Sequence, residues 1–200
     1  MSQLDVLVSI ALGIGLAAAV GFRVFLPLLV LSAAGYTGYL PISDSFSWMA
    51  TLPALVMFSV AAVIEIAAYY IPGVDNLLDA VATPAALVAG TVVAAAVMTD
   101  LPPILKWTTA VIAGGGAAGI TQAVTGLLRA KSTVTTGGLG NAVIATGELG
   151  GSLLTSLLAL FMPLVALAFV VLFCWVSVKF IRRLFRGISP AQSADPDVRR

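Results

Sequence analysis

Apolar runs of about 20 residues, separated by short polar breaks, recur along this chain, and that is the length a helix needs to cross a hydrocarbon core about 30 Å thick. A soluble domain carries about 25% charged residues. Here only 10% of the 200 residues are charged, 60% are hydrophobic and the mean hydropathy is +1.09. Lipid is therefore the solvent in which to read the chain. The expected fold is an all-α polytopic membrane protein of about six transmembrane helices over residues 1–187, with a disordered cytoplasmic tail over 188–200.

The first apolar run, Leu4 to Ala34, is too long for one straight crossing, and Pro27 removes the hydrogen bond to the carbonyl of Arg23, the only charge deep in the run. A break at Pro27 follows. A second span is expected from Trp48 to Ile71, carrying Glu65 and stopping before Pro72-Gly73. Val74 to Thr83 reads as an amphipathic stretch with Asp75 and Asp79 on one face, and Pro84 leads into a small-residue span, Ala85 to Met98. The fourth span, Pro103 to Leu128, places Gly115, Gly119, Gln122 and Gly126 on one stripe, a seam for close helix contact and a candidate lining for a pore or cavity that Asn141 would join. The polar, glycine-rich stretch from Lys131 to Asn141 reads either as a re-entrant segment or as an ordinary loop. Ala142 to Ile181 holds two spans with a turn at Pro163.

Arg129 and Lys131 follow the fourth span, and Lys179, Arg182, Arg183 and Arg186 close the last, while Asp44 and Asp100 fall in loops of the other parity. With six spans the positive-inside rule places both termini in the cytoplasm of a bacterial inner membrane. Anionic lipid headgroups are the expected partners of Lys179, Arg182, Arg183 and Arg186. A net charge of +1 gives no footprint for nucleic acid. The start of the chain has no basic segment ahead of its apolar run, so the first helix is expected to stay rather than be cleaved as a signal peptide.

Gly21-Phe22-Arg23, a loop, Glu65 and Pro84 are echoed by Gly119-Ile120-Thr121, a glycine-rich loop, Glu148 and Pro163. Two inverted three-helix repeats, 4–99 and 103–186, would give that echo, as would chance similarity among Gly/Ala-rich helices. The run Gly21-Phe22-Arg23, Glu65 with Ile71-Pro72-Gly73-Val74-Asp75, and Gly137-Gly138-Leu139-Gly140-Asn141 with Glu148 resemble a prokaryotic membrane family, domain of unknown function 4126, over Leu7 to Val171. That resemblance implies a helical inner-membrane protein and supplies no activity. Thr121 stands where the first half has Arg23, so any symmetry is broken at the charged position.

Arg23, Glu65 and Glu148 are the charges expected at membrane depth, where each costs roughly 2.5–3.5 kcal/mol or more on insertion scales. One reading makes them a substrate or ion site, with Arg23 holding an anion and the carboxylates carrying protons or cations. The other makes them a structural pair, or side chains snorkelling to the interface. Asp75 and Asp79 fit a helix cap better than a cation site. There is no His, and the single Cys, Cys174, lies in an apolar run, which leaves no His or Cys metal site and calls for no cofactor. No serine sits in a nucleophile-elbow pattern, and Thr125 to Ser132 lacks both glycines of a phosphate-binding loop.

The residues therefore point away from an enzyme and toward a small permease, channel or lipid translocator built on Arg23, Glu65 and Glu148, with Pro27 opening the helix. A non-transporting scaffold, assembled through its glycine seams, is the alternative. A membrane-embedded lipid enzyme is the weaker third reading, and a homodimer through small-residue faces is a further expectation.

Overall fold

The computed structural model describes residues 3–71, 73–99 and 101–186, so the tail at 188–200, Pro72 and the loop charge Asp100 lie outside the described residues, as does the side chain of Arg186. Among the described residues eight α-helices follow one another: α1 (Gln3–Val20), α2 (Phe25–Tyr36), α3 (Leu52–Ala68), α4 (Val74–Val97), α5 (Pro103–Thr109), α6 (Gly116–Thr136), α7 (Asn141–Phe161) and α8 (Pro163–Arg186). A 3-10 helix, Asp44–Ala50, precedes α3, and a π-helical turn, Ala110–Gly115, joins α5 to α6 into one 34-residue rod. No strand occurs among the described residues. Five helical segments among the described residues are long and apolar enough to cross a bilayer, and a sixth crossing is made if the 3-10 helix and α3, bent by 68°, count as one. This is a multi-pass membrane architecture.

α1 is the central helix, packed by α4, α6, α7 and α8. Its sequence suits that place, because Ala11, Leu16, Ala17, Ala19 and Val20 are all fully buried and mostly small. Lipid offers no hydrophobic drive for helices to associate, so close van der Waals contact must hold them together, and small residues allow it. α4 packs closely on α6 and the π-helical turn before it: a Cβ on Gly90 would lie 2.5 Å from Ala118 Cβ, and one on Gly114 2.6 Å from Ala94 Cβ.

The break in the first apolar run lies at Gly21–Val24, not at Pro27. Pro27 is the third residue of α2, where its missing N–H falls among the donors that a first turn leaves unpaired in any case. At the break the chain reverses. Arg23 reaches Ala145 while Gly15 lies against Ala159, so α1 runs antiparallel to α7. Val30 and Ala34 border Leu157 and Leu160, and Tyr39 meets Phe161, so α2 runs parallel to α7.

The hairpin also sets where the described ends of the chain lie. α8 runs parallel to α1, with Gly15 against Ala166 and Phe22 against Phe173, so the Gln3 end of α1 and the Arg186 end of α8 stand at opposite ends of the bundle. In a Cys174→Ser background, an impermeant thiol reagent on sealed cells is expected to label only one of Gln3→Cys and Arg183→Cys. Equal labelling of both would overturn the hairpin.

Two expectations change. Pro84 does not begin a helix but lies inside the continuous α4. A proline removes one hydrogen bond, and a membrane helix tolerates that loss where its neighbours re-satisfy the backbone. Ser132 to Thr136 is the end of α6 rather than a loop or re-entrant segment, and the chain leaves the helix at Gly137 with φ +63°. The first half contains the four-residue reversal at 21–24, and the second contains the 34-residue rod. The turn at Pro163 is found as expected, with α7 ending at Phe161.

Gly21 shows how tightly the reversal is held. A Cβ there would lie 2.4 Å from the carbonyl oxygen of Ala118 and 2.5 Å from Thr121 Cβ, whereas one on Gly126 would meet nothing within 4 Å. Gly21→Ala should therefore destabilise by about 1–3 kcal/mol. Gly126→Ala should be neutral or stabilise by up to about 1 kcal/mol through helix propensity. Unfolding in mixed micelles separates the two, and equal effects would mean that the close approach at Gly21 is absent.

Candidate functional site

The reversal carries Arg23 into the middle of the bundle, where it is 1% exposed. Its Nη2 donates to the Ala145 carbonyl at 2.9 Å and lies 3.5 Å from Glu148 Oε2. Arg129, 2% exposed, takes the same carboxylate in a fork. Its Nε donates to Oε1 at 2.8 Å, and its Nη2 pairs with Oε2. The Arg129 Nε is also 3.8 Å from Asp79 Oδ1. Both guanidiniums lie over the ring of Tyr69, with Cζ atoms 3.9 and 4.0 Å from its centroid.

The contact group thus contains two cations and two carboxylates, Glu148 and Asp79. Their formal charges cancel, which is what burial requires of ionised side chains. Hydrogen bonding is less complete. Arg23 Nε and Nη1 and Arg129 Nη1 are buried and have no acceptor among the described residues. Arg129 lies seven residues before the end of α6 and Glu148 seven after the start of α7, so the pair sits about 10 Å along the bundle from the turn between them.

Glu65, also buried, has a different task. Its Oε1 accepts the Val24 N–H at 2.8 Å and its Oε2 the Phe25 N–H at 3.0 Å. No side chain of α2 itself caps this helix. A carboxylate from α3 replaces that cap, satisfying two of the first-turn donors and meeting the positive end of the helix dipole. The ion-pair partner of Arg23 among the described residues is Glu148 rather than Glu65.

One helical turn away, buried Asp75 accepts the Gly73 N–H at 2.9 Å and the Asn141 amide at 2.7 Å. The same Asn141 nitrogen lies 3.0 Å from Thr133 Oγ1. This network ties the α3–α4 turn to the α6–α7 turn. Asp75 thus combines the expected local cap with a long-range contact, while Asp79 faces Arg129.

Of the residues singled out from sequence, Arg23 and Glu148 meet directly, Glu65 joins them through the backbone at residues 24 and 25, and Asn141 stands beside them through Asp75. Gly115 and Gly119 face Thr91 and Leu87 on α4, and Gln122 is buried on α6. Arg129 and Tyr69 are additional. Arg129 is not the loop charge that the sequence suggested, because α6 continues past it. The available signal was spacing: Thr121, Thr125 and Arg129 recur every four residues, and all are buried. Lys179, Arg182 and Arg183 are exposed on α8, with Lys179 Nζ 4.8 Å from the Trp175 ring centroid.

The family model described as Domain of unknown function (DUF4126) matches residues 10–183. No curated protein matches the chain, and no solved structure does.

Proposed function

The chain belongs to the domain of unknown function 4126 family, and we propose that it is a small permease or lipid translocator whose binding site for an anionic group is the Arg23–Arg129 pair. One observation carries this reading: three buried guanidinium nitrogens lack acceptors among the described residues, beside the point where the first helix reverses. A buried donor without an acceptor costs about 1–3 kcal/mol, and more when charged. A carboxylate or phosphate oxygen supplied by a ligand offsets that cost. Glu148 and Asp79 hold the guanidiniums in place until it arrives, and the exchange of carboxylate for ligand provides a reversible step. The basic end of α8 then faces the cytoplasm, where Lys179, Arg182 and Arg183 meet anionic lipid.

The test uses Arg23→Lys in proteoliposomes. An ammonium keeps the charge but loses the planar fork, so anion flux or lipid scrambling should fall at least about tenfold, equivalent to about 1.4 kcal/mol. Melting in detergent should stay within a few degrees of the parent. Undiminished flux in the variant, or none above empty liposomes in the parent, would defeat the proposal. The neutral balance of the charged group favours the second reading, a scaffold in which the cluster only fixes helix register. That reading takes precedence if the parent shows no flux and an Arg129–Glu148 double-mutant cycle still shows strong coupling.

A further inference from the structure

A groove of about 370 Å³ opens between α3 and α4 beside the start of α2, within the roughly 300–1,000 Å³ range of ligand pockets. Phe25, Ala61, Ile64, Ala68, Val81 and Ala85 line it, and Glu65 and Tyr69 provide its polar groups. It faces outward: Ile64 and Val81, which line it, are more than half exposed, as are Val60 and Leu77 four residues before them on the same helices. In a bilayer those side chains meet acyl chains. At the groove's polar side stands the Tyr69 ring that carries both guanidiniums. The Glu65 carboxylate that also borders it is already engaged by the Val24 and Phe25 N–H groups, so its charge is partly compensated there.

We infer that the anionic group bound by Arg23 and Arg129 belongs to an acidic lipid, which enters sideways from the bilayer between α3 and α4. Its chain lies in the groove, and its carboxylate or phosphate passes Tyr69 to the unpaired guanidinium nitrogens. The inference rests on the anion-site reading and adds to it the source and the route. A water-soluble anion would need no apolar approach. A neutral lipid would leave the buried arginine donors unanswered. Charge complementarity and the apolar walls together select an acid on a hydrocarbon chain.

The experiment takes the full chain in phosphatidylcholine nanodiscs. It uses a long-chain fatty acid with a photoactivatable group midway along the chain, the matching fatty alcohol, and inorganic phosphate as a chainless competitor. The acid should label peptides of α3 and α4 at least about tenfold more than the alcohol, and millimolar phosphate should reduce that labelling. Ala61→Phe and, on the facing helix, Ala85→Phe fill the groove from either side. Either should abolish labelling while leaving the phosphate-induced shift in melting unchanged, so a folding failure in one variant does not decide the matter. Arg23→Gln should remove both responses. Equal labelling by acid and alcohol, or labelling untouched by both groove variants, would overturn the lipid route while the phosphate shift kept the anion site. Loss of every phosphate response in the parent would overturn the anion site and the lipid route with it.

Discussion

Alanine in place of Arg129 is expected to destabilise the protein by about 3–5 kcal/mol, because removing one partner of a buried ion pair leaves the other charged and uncompensated. Glu148 loses both arms of its fork and keeps only Arg23, at 3.5 Å from one oxygen. Asp79, 3.8 Å from the Arg129 Nε, loses its ion-pair contact with that residue as well. Lys131, two residues on and exposed, is the control, and its alanine variant should stay within about 0.5 kcal/mol. The double variant Arg129→Ala, Glu148→Ala should cost less than the sum of the singles by about 1–3 kcal/mol, since the stranded carboxylate is then gone. Reversible unfolding in mixed micelles measures these variants, with the Glu148→Ala single, against the parent. A loss below about 1 kcal/mol for Arg129→Ala would mean that water reaches this charge and that the cluster is not a buried one.

Arg129 and Lys131 also show where the sequence was legible and where it was not. Hydropathy registers how long a segment is apolar, which is why the turn at Pro163 and the long spans could be read directly. It does not register direction. Leu4 to Ala34 contains a full reversal without a polar break, because Glu65, from another helix 40 residues on, provides the cap that a loop would otherwise need. Pro27 and Pro84 misled for a shared reason. A proline marks a helix end only where the backbone group it frees has no other support, and one of these lies in a first turn while the other stays within a continuous membrane helix.

The site was half legible on the same grounds. Arg23 and Glu148 stood out because an isolated charge in lipid demands a partner. Arg129 was missed because ending the fourth span at Leu128 placed it among the interfacial cations. Tyr69 carried no signal of its own, since an aromatic ring gains its role only once two guanidiniums are brought over it. The anchors of the cluster were visible in the sequence, while the residues that complete it depend on the helix reversal and on how far α6 extends.

Glu65→Ala should produce the second large effect, a loss of about 2–7 kcal/mol, because it strands two backbone donors at once. Val24 and Phe25 give their N–H groups to the two oxygens of this carboxylate at 2.8 and 3.0 Å, and each unanswered buried donor costs about 1–3 kcal/mol. Loss of negative charge at the start of α2 adds up to about 1 kcal/mol. Glu65→Gln keeps one acceptor oxygen but replaces the other with a donor facing an N–H, so it should fall between the parent and alanine. Glu65→Asp keeps both oxygens on a side chain one methylene shorter, and it should lie near glutamine only if the distance from α3 to α2 is fixed. The order parent, glutamine, alanine is the signature of a cap. A carboxylate that instead carried protons or cations for transport would give the opposite pattern, with glutamine abolishing flux in proteoliposomes while leaving melting unchanged. That outcome would move Glu65 from the scaffold of the site to its working chemistry, and graded melting with retained flux would leave Arg23 and Arg129 as the residues that meet the ligand.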